Sequence, residues 1–428
     1  MNKTFSYLLL LIGLVLIVYF WSLNSWILMD SNISLAMGRL AGLVLVYSLL
    51  LQLVLIGRTG WLEKIFGMDK LARFHHWNGV GTLVMLLAHP ILLTVAKSGD
   101  SGFVATFIRL NGGDDVLNGT IAAIIIIAVG ILIPILLEKL KYEIWYYLHL
   151  LLYVAILLAF GHQLELGGDF RDNGLFVVFW WVLYVFAFGN LILYRFARPI
   201  YYFWRHSFEI QKVEKDTEES HSIYIQGKDL KRFEFKGGQF AIFRFLQEGF
   251  WYEAHPYSFS SIHNDKFLRI TVKNLGDYSN KIRELKVGTK VIIDGPNGVF
   301  TTARAGNRKI LLIAGGVGIT PVKAVAEEMI KDNMDVALIY SNRQEGNIVL
   351  EKEVDLLAAE YKNLRLIKFL SQKMGQLDPE KIKALVQDYK ERTVYICGPI
   401  PMIESLVSGL KAAGLRGSNI IFEKFSLR

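Results

Sequence analysis

Cysteine is almost absent: Cys397 is the single one in 428 residues. That excludes an intrachain disulfide, a thiolate-held iron–sulfur cluster and a cysteine-built zinc site, and it suits a soluble part facing a reducing cytoplasm. Runs of Lys and Arg interleaved with aromatics are also missing. The formal charge of +8 is dispersed, so it leaves no nucleic-acid footprint. Internal repeats and low-complexity tracts are lacking. The apolar run from Phe5 to about Met29 has no small-x-small cleavage site and is too long for a signal peptide, so it reads as a retained first helix.

What is present divides in two. Hydrophobic residues make up 53% and charged residues 20%, too greasy for one soluble enzyme and too charged for membrane helices alone. A membrane half joined to a soluble half resolves the conflict. Six apolar segments, about Phe5–Met29, Leu35–Ile56, Phe74–Ala96, Thr120–Leu137, Trp145–Glu165 and Gly174–Tyr194, each approach the ~20 residues a helix needs to span a bilayer. Arg58, Lys64, Lys70, Arg73, Lys139, Lys141, Arg195, Arg198 and Arg205 lie on one side of them. Asp30, Asp100, Asp114, Asp115, Asp169 and Asp172 lie on the other, with only Lys97, Arg109 and Arg171 as basic residues. Positive-inside counting places both termini and the soluble half in the cytoplasm of a plasma-membrane protein.

Histidines sit inside two of these segments. An ionisable residue within a membrane span is a functional hypothesis by default. His75 and His89 are 14 residues apart, roughly 21 Å of helical rise that returns to within about 40° of the starting face. His149 and His162 are 13 apart, a rise of roughly 20 Å with a phase difference of about 140°. Either two groups sit on different sides of that helix, or the turn around Gly161 departs from regular geometry. His76 competes with His75, which phase favours. A lone membrane histidine can simply bond a neighbouring helix. Four of them, paired by depth on two helices, point to two stacked b-type haems with paired imidazole ligands: His75 and His149 at the inner level, His89 and His162 at the outer.

After about Phe203 the pattern changes. Ser222–Ile225 and Phe240–Phe243 read as strands of a small antiparallel barrel, with Gly237-Gly238 as a turn between them. From Lys309 strands and helices alternate: Ile310–Ala314, Pro321–Ile330, Val336–Tyr340, Leu350–Glu360, Leu364–Phe369, Pro379–Gln387, Val394–Cys397 and Pro401–Ala412. That alternation predicts a doubly wound parallel sheet. The expected fold is therefore a six-helix transmembrane bundle (1–203), a β-barrel domain (204–304) and an α/β nucleotide domain (305–428).

Three barrel motifs occur in order: His255-Pro256-Tyr257-Ser258-Phe259-Ser260, then Lys273-Asn274-Leu275-Gly276-Asp277-Tyr278-Ser279, then Asp294-Gly295-Pro296-Asn297-Gly298. They resemble the flavin domain of the ferredoxin–NADP reductase superfamily, and the His-Pro start resembles its NADPH oxidase and ferric reductase branch. The resemblance implies FAD, with Tyr257 on the isoalloxazine, Ser258 at its reactive N5 edge and His255 near the ribityl or phosphate side. It also places Lys273 beside the site and the helix opening at Gly276 to Ser279 on the pyrophosphate. Ala314-Gly315-Gly316-Val317-Gly318-Ile319-Thr320-Pro321 follows an apolar strand and opens a helix, as a dinucleotide loop requires. Cys397-Gly398-Pro399 resembles the family element beside the nicotinamide, and Cys397 alone reads equally as a small buried hydrophobe. Ser341 with Arg343 suits a 2′-phosphate, hence NADPH with NADH possible. Phe422-Glu423-Lys424-Phe425-Ser426 resembles the family's ending, in which an aromatic, here Phe425, covers the flavin.

Over nearly its whole length the chain resembles the compact prokaryotic members of the NADPH oxidase and ferric reductase superfamily, in which the first histidine of Phe74-His75-His76-Trp77-Asn78-Gly79 ligates the inner haem. The resemblance implies electron transfer from NADPH through FAD and two haems to an acceptor outside, either dioxygen giving superoxide or a ferric chelate. A reading of another class keeps the membrane half as a tether or partner-docking module without a haem wire. No obligatory protein partner is evident from the sequence.

Overall fold

The computed structural model describes residues 3–136, 142–170, 173–346 and 348–424. The chain forms two compact units: Met1–Ile65 with Lys70–Leu193, and Phe66–Asp69 with Tyr194–Arg428.

The first unit is helical. Its apolar elements are α1 (Lys3–Ser25), α2 (Ile33–Ile56), α3 (Met68–Lys97), α4 (Leu117–Ile127), α5 (Tyr142–Leu166) and α6 (Gly174–Leu191). Among the described residues four helices are long and apolar enough to cross a membrane: Ile33–Ile56, Met68–Lys97, Ile144–Leu164 and Gly174–His206. Two apolar stretches, Leu10–Ser25 and Leu117–Leu132, are shorter, so the count of six spans stays an expectation. Helix α4 passes into a π-helical turn at Ala128–Leu132 before Ile133–Leu136. Asparagines begin two of the helices. The Asn32 side chain accepts from Leu35 N at 3.0 Å and Asn173 from Phe176 N at 3.1 Å, each satisfying a donor that the first helical turn leaves without a carbonyl. Asn32 Nδ2 also donates to Ala96 O at 3.0 Å, tying the start of α2 to the end of α3. Lys139, Lys141, Arg171 and Asp172, used in the charge count, lie outside the described residues.

The second unit opens with α7 (Arg198–His206) and two three-stranded antiparallel sheets. Their strands are β1 (Glu209–Thr217), β2 (Ser220–Gln226), β3 (Phe240–Phe245), β4 (His255–Ser258), β5 (Leu268–Lys273) and β6 (Val291–Asn297), ordered β1-β2-β5 and β4-β3-β6. Bridges Phe259–Ile270 and Glu209–Lys290 join the sheets at two corners. The expected barrel thus closes around one apolar core that includes Phe208, Ile223, Phe243, Phe259 and Ile270. A short helix α8 (Asp277–Lys281) follows β5.

Five parallel strands complete the unit: β7 (Lys309–Gly315), β8 (Asp335–Asn342), β9 (Leu364–Leu370), β10 (Thr393–Gly398) and β11 (Ile420–Lys424), in the order β11-β10-β7-β8-β9. Side chains of β7 alternate between two cores. Ile310, Leu312 and Ala314 pack on the face of α9 (Ile319–Lys331) and α10 (Glu351–Glu360). Leu311 and Ile313 pack on the face of α11 (Pro379–Leu385) and α12 (Ile400–Ala412). Burial on both faces is what makes the strands near-continuous hydrophobic runs. Strand order reverses at β7, so the crevice outside the carboxyl ends of β7 and β10 is where such a sheet takes a ligand.

Candidate functional site

In the membrane unit, side chains carry the site. His75 on α3 and His149 on α5 face each other with ring centroids 6.0 Å apart, and on each ring a buried Nδ1 has no hydrogen-bond partner. Two imidazoles bound on opposite sides of one metal, at about 2 Å per metal–nitrogen bond, would have centroids about 6 Å apart. His76 points elsewhere. It is exposed and lies edge-on to Trp77.

At the other level the His89 Nδ1–H donates to Gly38 O at 2.8 Å, which holds the ring and leaves Nε2 for a metal, as ligating histidines usually arrange. A Cβ at Gly42 would lie 2.7 Å from the His89 ring, and one at Gly119 would lie 3.1 Å from the ring of His162. Glycine on α2 and on α4 therefore makes room for these two imidazoles. Helix α5 runs unbroken through Gly161, around which a Cβ would meet open space. The phase difference on α5 is therefore kept: His149 faces α3 and His162 lies against α4. The facing His75 and His149 with their unpartnered Nδ1 atoms, the anchored ring of His89 and the glycine cradles at His89 and His162 fit the ligand set of two haems.

In the barrel, His255, Pro256, Tyr257 and Ser258 form β4, the outer strand beside β3. The His255 Nε2–H donates to Glu253 Oε2 at 2.8 Å, and its ring lies on that of Tyr278, centroids 3.9 Å apart. The second motif is thereby brought onto the first. Burial pushes the Tyr257 and Tyr278 phenols well above the ordinary range, so both stay neutral. Tyr278 Oη is buried without a hydrogen-bond partner. Ser279 Oγ accepts from Leu275 N at 2.8 Å and Gly276 N at 3.0 Å, which closes the turn that opens α8. Lys273 pairs with Glu219 at 3.2 Å. On β6, in the same sheet as β4, Asp294 binds Arg198 at 2.7 Å.

In the nucleotide domain, backbone carries the site. Gly315, Gly316 and Gly318 form the turn between β7 and α9. Gly316 has φ +54°, a left-handed conformation that disfavours a side chain. A Cβ at Gly318 would be driven into the carbonyl of Cys397, and one at Gly398 would lie 3.0 Å from Gly315 Cα. The glycines therefore let the loop after β7 and the turn after β10 touch. Thr320 Oγ1 donates to Val317 O at 3.0 Å, and Thr320 and Pro321 are buried in the first turn of α9. Pro399 is exposed. The Cys397 side chain is wholly enclosed, and burial, then Glu423 and Asp69, push its thiol well above its ordinary value. Ser341 is buried and Arg343 exposed at the end of β8. Phe425 lies outside the described residues.

Several features of these sites carry no motif. The fifth strand β11 brings Glu423 alongside Cys397 and Lys424 alongside Gly398, a pairing that the ending motif Phe422–Ser426 did not disclose. Asp169, counted as an outer-loop charge, is 2% exposed and accepts from Ser25 Oγ at 2.6 Å. Gly42 and Gly119 were invisible because a glycine in an apolar helix has many uses. Arg109 lies exposed on a short helix, Phe103–Asn111.

Three family models match in succession: a ferric reductase like transmembrane component at residues 41–160, an FAD-binding domain at 207–301 and an oxidoreductase NAD-binding domain at 312–408. The chain is 28% identical over 239 residues to the glycine betaine monooxygenase reductase subunit of Chromohalobacter salexigens, covering 52% of this chain and 64% of that one. It is 28% identical over 231 residues to the ferredoxin reductase component of 3-ketosteroid-9-alpha-monooxygenase from Mycobacterium tuberculosis, covering 51% and 64%. It is 30% identical over 162 residues to NADH-cytochrome b5 reductase 1 of Coccidioides immitis, covering 34% and 53%. The chain thus spans less than two thirds of the length of these relatives.

Proposed function

The chain has the domain architecture of the NADPH oxidase and ferric reductase superfamily, and from that premise we propose a transmembrane oxidoreductase. It carries electrons from cytoplasmic NADPH, with NADH accepted less well, to an acceptor on the far side of the plasma membrane. The acceptor is dioxygen, reduced to superoxide. The observation that carries the reading is the facing pair His75 and His149, each with an unpartnered buried ring nitrogen. Three domains divide the work: 1–203 in six spans, 204–304 for the flavin and 305–428 for the nucleotide.

When bound, FAD would supply hydride acceptance with one-electron release, and two b-type haems would supply single-electron carriage across the bilayer. His75 with His149, and His89 with His162, would hold the haems. Tyr257, Ser258 and His255 would hold the flavin, with Pro256 turning that strand, and Gly276, Ser279 and Lys273 would receive its pyrophosphate. Gly315, Gly316, Gly318, Thr320 and Pro321 would cradle the nucleotide phosphates. Arg343 and Ser341 would take the 2′-phosphate. Gly398 and Pro399 would line the nicotinamide pocket with the enclosed Cys397 packed behind them, and Phe425 would shield the flavin until the nicotinamide displaces it. Ser258 would hydrogen-bond the N5 edge, and Cys397, protonated by its burial, would act by shape.

A ferric chelate as acceptor is the second reading, favoured by the description of the transmembrane match. Anaerobic reduction of the FAD-loaded protein with NADPH, followed in the visible spectrum, tests both. Reduced low-spin b-haem bands, then a dismutase-sensitive dye signal on admitting air, are expected. Bands that reoxidise only with a ferric chelate would replace dioxygen as acceptor. A spectrum without haem bands would leave a tethered flavin reductase.

A further inference from the structure

One buried ionic cluster in the second unit belongs to none of the motifs above. Arg269 on β5 of the barrel is 5% exposed. Its guanidinium donates to both oxygens of Glu353, at 2.6 and 2.8 Å. Glu353 lies in the first turn of α10 in the nucleotide domain. The same carboxylate takes Lys323 Nζ at 2.7 Å, and Lys323 sits buried on α9, just after the glycine loop. On its other side Arg269 reaches Ser260, donating to its carbonyl at 2.6 Å and its hydroxyl at 3.1 Å. Ser260 is two residues beyond Ser258 in the same motif.

One carboxylate therefore joins three elements: β5, which reaches the strand motif expected against the flavin through Arg269 and Ser260, the helix behind the glycine loop, and the helix after the Ser341–Arg343 loop. A second contact works alongside. Leu350, held at φ +55°, donates its N–H to Asp216 Oδ2 of β1 at 3.0 Å. Burial raises the Glu353 carboxyl, but Arg269 and Lys323 outweigh it and hold the group down to about 2, so it is ionised across the physiological range.

We propose that Arg269, Glu353 and Lys323 are positioning residues for hydride transfer: an ionic pin that sets the nucleotide domain against the flavin strand. The inference rests on the flavin and nicotinamide reading of this unit. Hydride transfer needs donor and acceptor at near-contact distance, and a misplacement of about 1 Å far from the chemistry can cost about 100-fold. The geometry of the cluster suits that task. A bidentate guanidinium is directional, whereas a single lysine contact is not. Glu353→Gln keeps the shape, leaves the buried Arg269 without its counter-charge and leaves Lys323 only Glu327, at 3.5 Å. Arg269→Lys keeps the charge and loses the fork.

The test uses the full-length FAD-loaded protein and three readouts. The first is stopped-flow flavin reduction with NADPH and with its 4-deuterated form. The second is the NADPH dissociation constant. The third is hydrogen exchange of the 341–350 segment, with and without FAD. Glu353→Gln is expected to slow flavin reduction 10- to 100-fold, change the deuterium isotope effect, move the dissociation constant less than threefold and speed exchange in 341–350. Arg269→Lys should do the same to a smaller extent, and combining the two should add little. Wild-type rates and isotope effects in both variants would overturn the pin, as would a loss confined to thermal stability. If wild-type protein itself shows no flavin reduction by NADPH, the underlying reading fails instead.

Discussion

The membrane unit and the nucleotide domain present their candidate sites with opposite parts of the polypeptide. In the membrane unit four imidazoles on two apolar helices make the site, and the backbone is consumed by its own helical hydrogen bonds, as a bilayer demands. In the nucleotide domain of the second unit glycines, a helix start and a strand end make most of it, and the Cys397 side chain fills space. The contrast follows from solvent. Inside a membrane a rare polar side chain stands out against its surroundings, whereas at the edge of a soluble sheet loose backbone N–H groups are available to anions. Glycine serves both units differently: it gives way to a side chain at Gly42 and to another loop at Gly318.

Breaking the membrane side of that contrast should have the largest effect. His75→Ala is expected to lower haem from two to one per chain and to cut delivery to the external acceptor by roughly 10³-fold or more, equivalent to about 4 kcal/mol of barrier, while NADPH still reduces the flavin. His76→Ala should retain both haems. Haem quantification on the purified variants decides, and two haems in His75→Ala would remove it as a ligand. Gly318→Ala strikes the backbone side. Its methyl collides with the Cys397 carbonyl, so flavin reduction should slow by about 100-fold with haem content unchanged, as a stopped-flow trace would show.

Gly42→Ala sharpens the comparison, because it asks whether glycine in a span serves a side chain. The added methyl, 2.7 Å from the His89 ring, should shift the potential of the outer haem alone and slow reoxidation about tenfold, or about 1.4 kcal/mol. A redox titration with an unmoved outer wave would reject that role. Arg343→Ala should raise KM for NADPH by about tenfold, the loss of one charge-assisted contact, and leave KM for NADH unchanged. The smallest effect belongs to Cys397→Ala, which should change flavin reduction by less than about threefold, since burial keeps the thiol protonated. The sign is specific: because the folded thiol lies above its ordinary value, the native protein should resist alkylation at pH 8, and rapid labelling would disprove the enclosure.

Hydrophobic periodicity made the α/β half almost fully readable. Strands β7 to β10 and helices α9 and α12 fall within a residue or two of their expected bounds, since strands buried on both faces are continuous apolar runs. The exceptions are instructive. Strand β1 contains Glu209, Lys212, Glu214, Lys215 and Asp216 and lies at a sheet edge, where charge discourages further pairing and masks the strand signal. Strand β11 is short and terminal, and only its pairing with β10 identifies it.

By itself the sequence determined which residue types stand at which depth and in what order: four histidines in two apolar helices, a glycine turn after the first parallel strand, and a flavin-like motif before it. Those features are local, because helical rise, glycine φ and strand alternation depend on near neighbours. Helical phase already favoured His75 over His76, and tertiary structure alone decided that His162 turns to Gly119 and that Glu353 gathers Arg269 and Lys323 from two other elements. Each of those depends on segments tens of residues apart meeting at contact distance, and no local spacing encodes that.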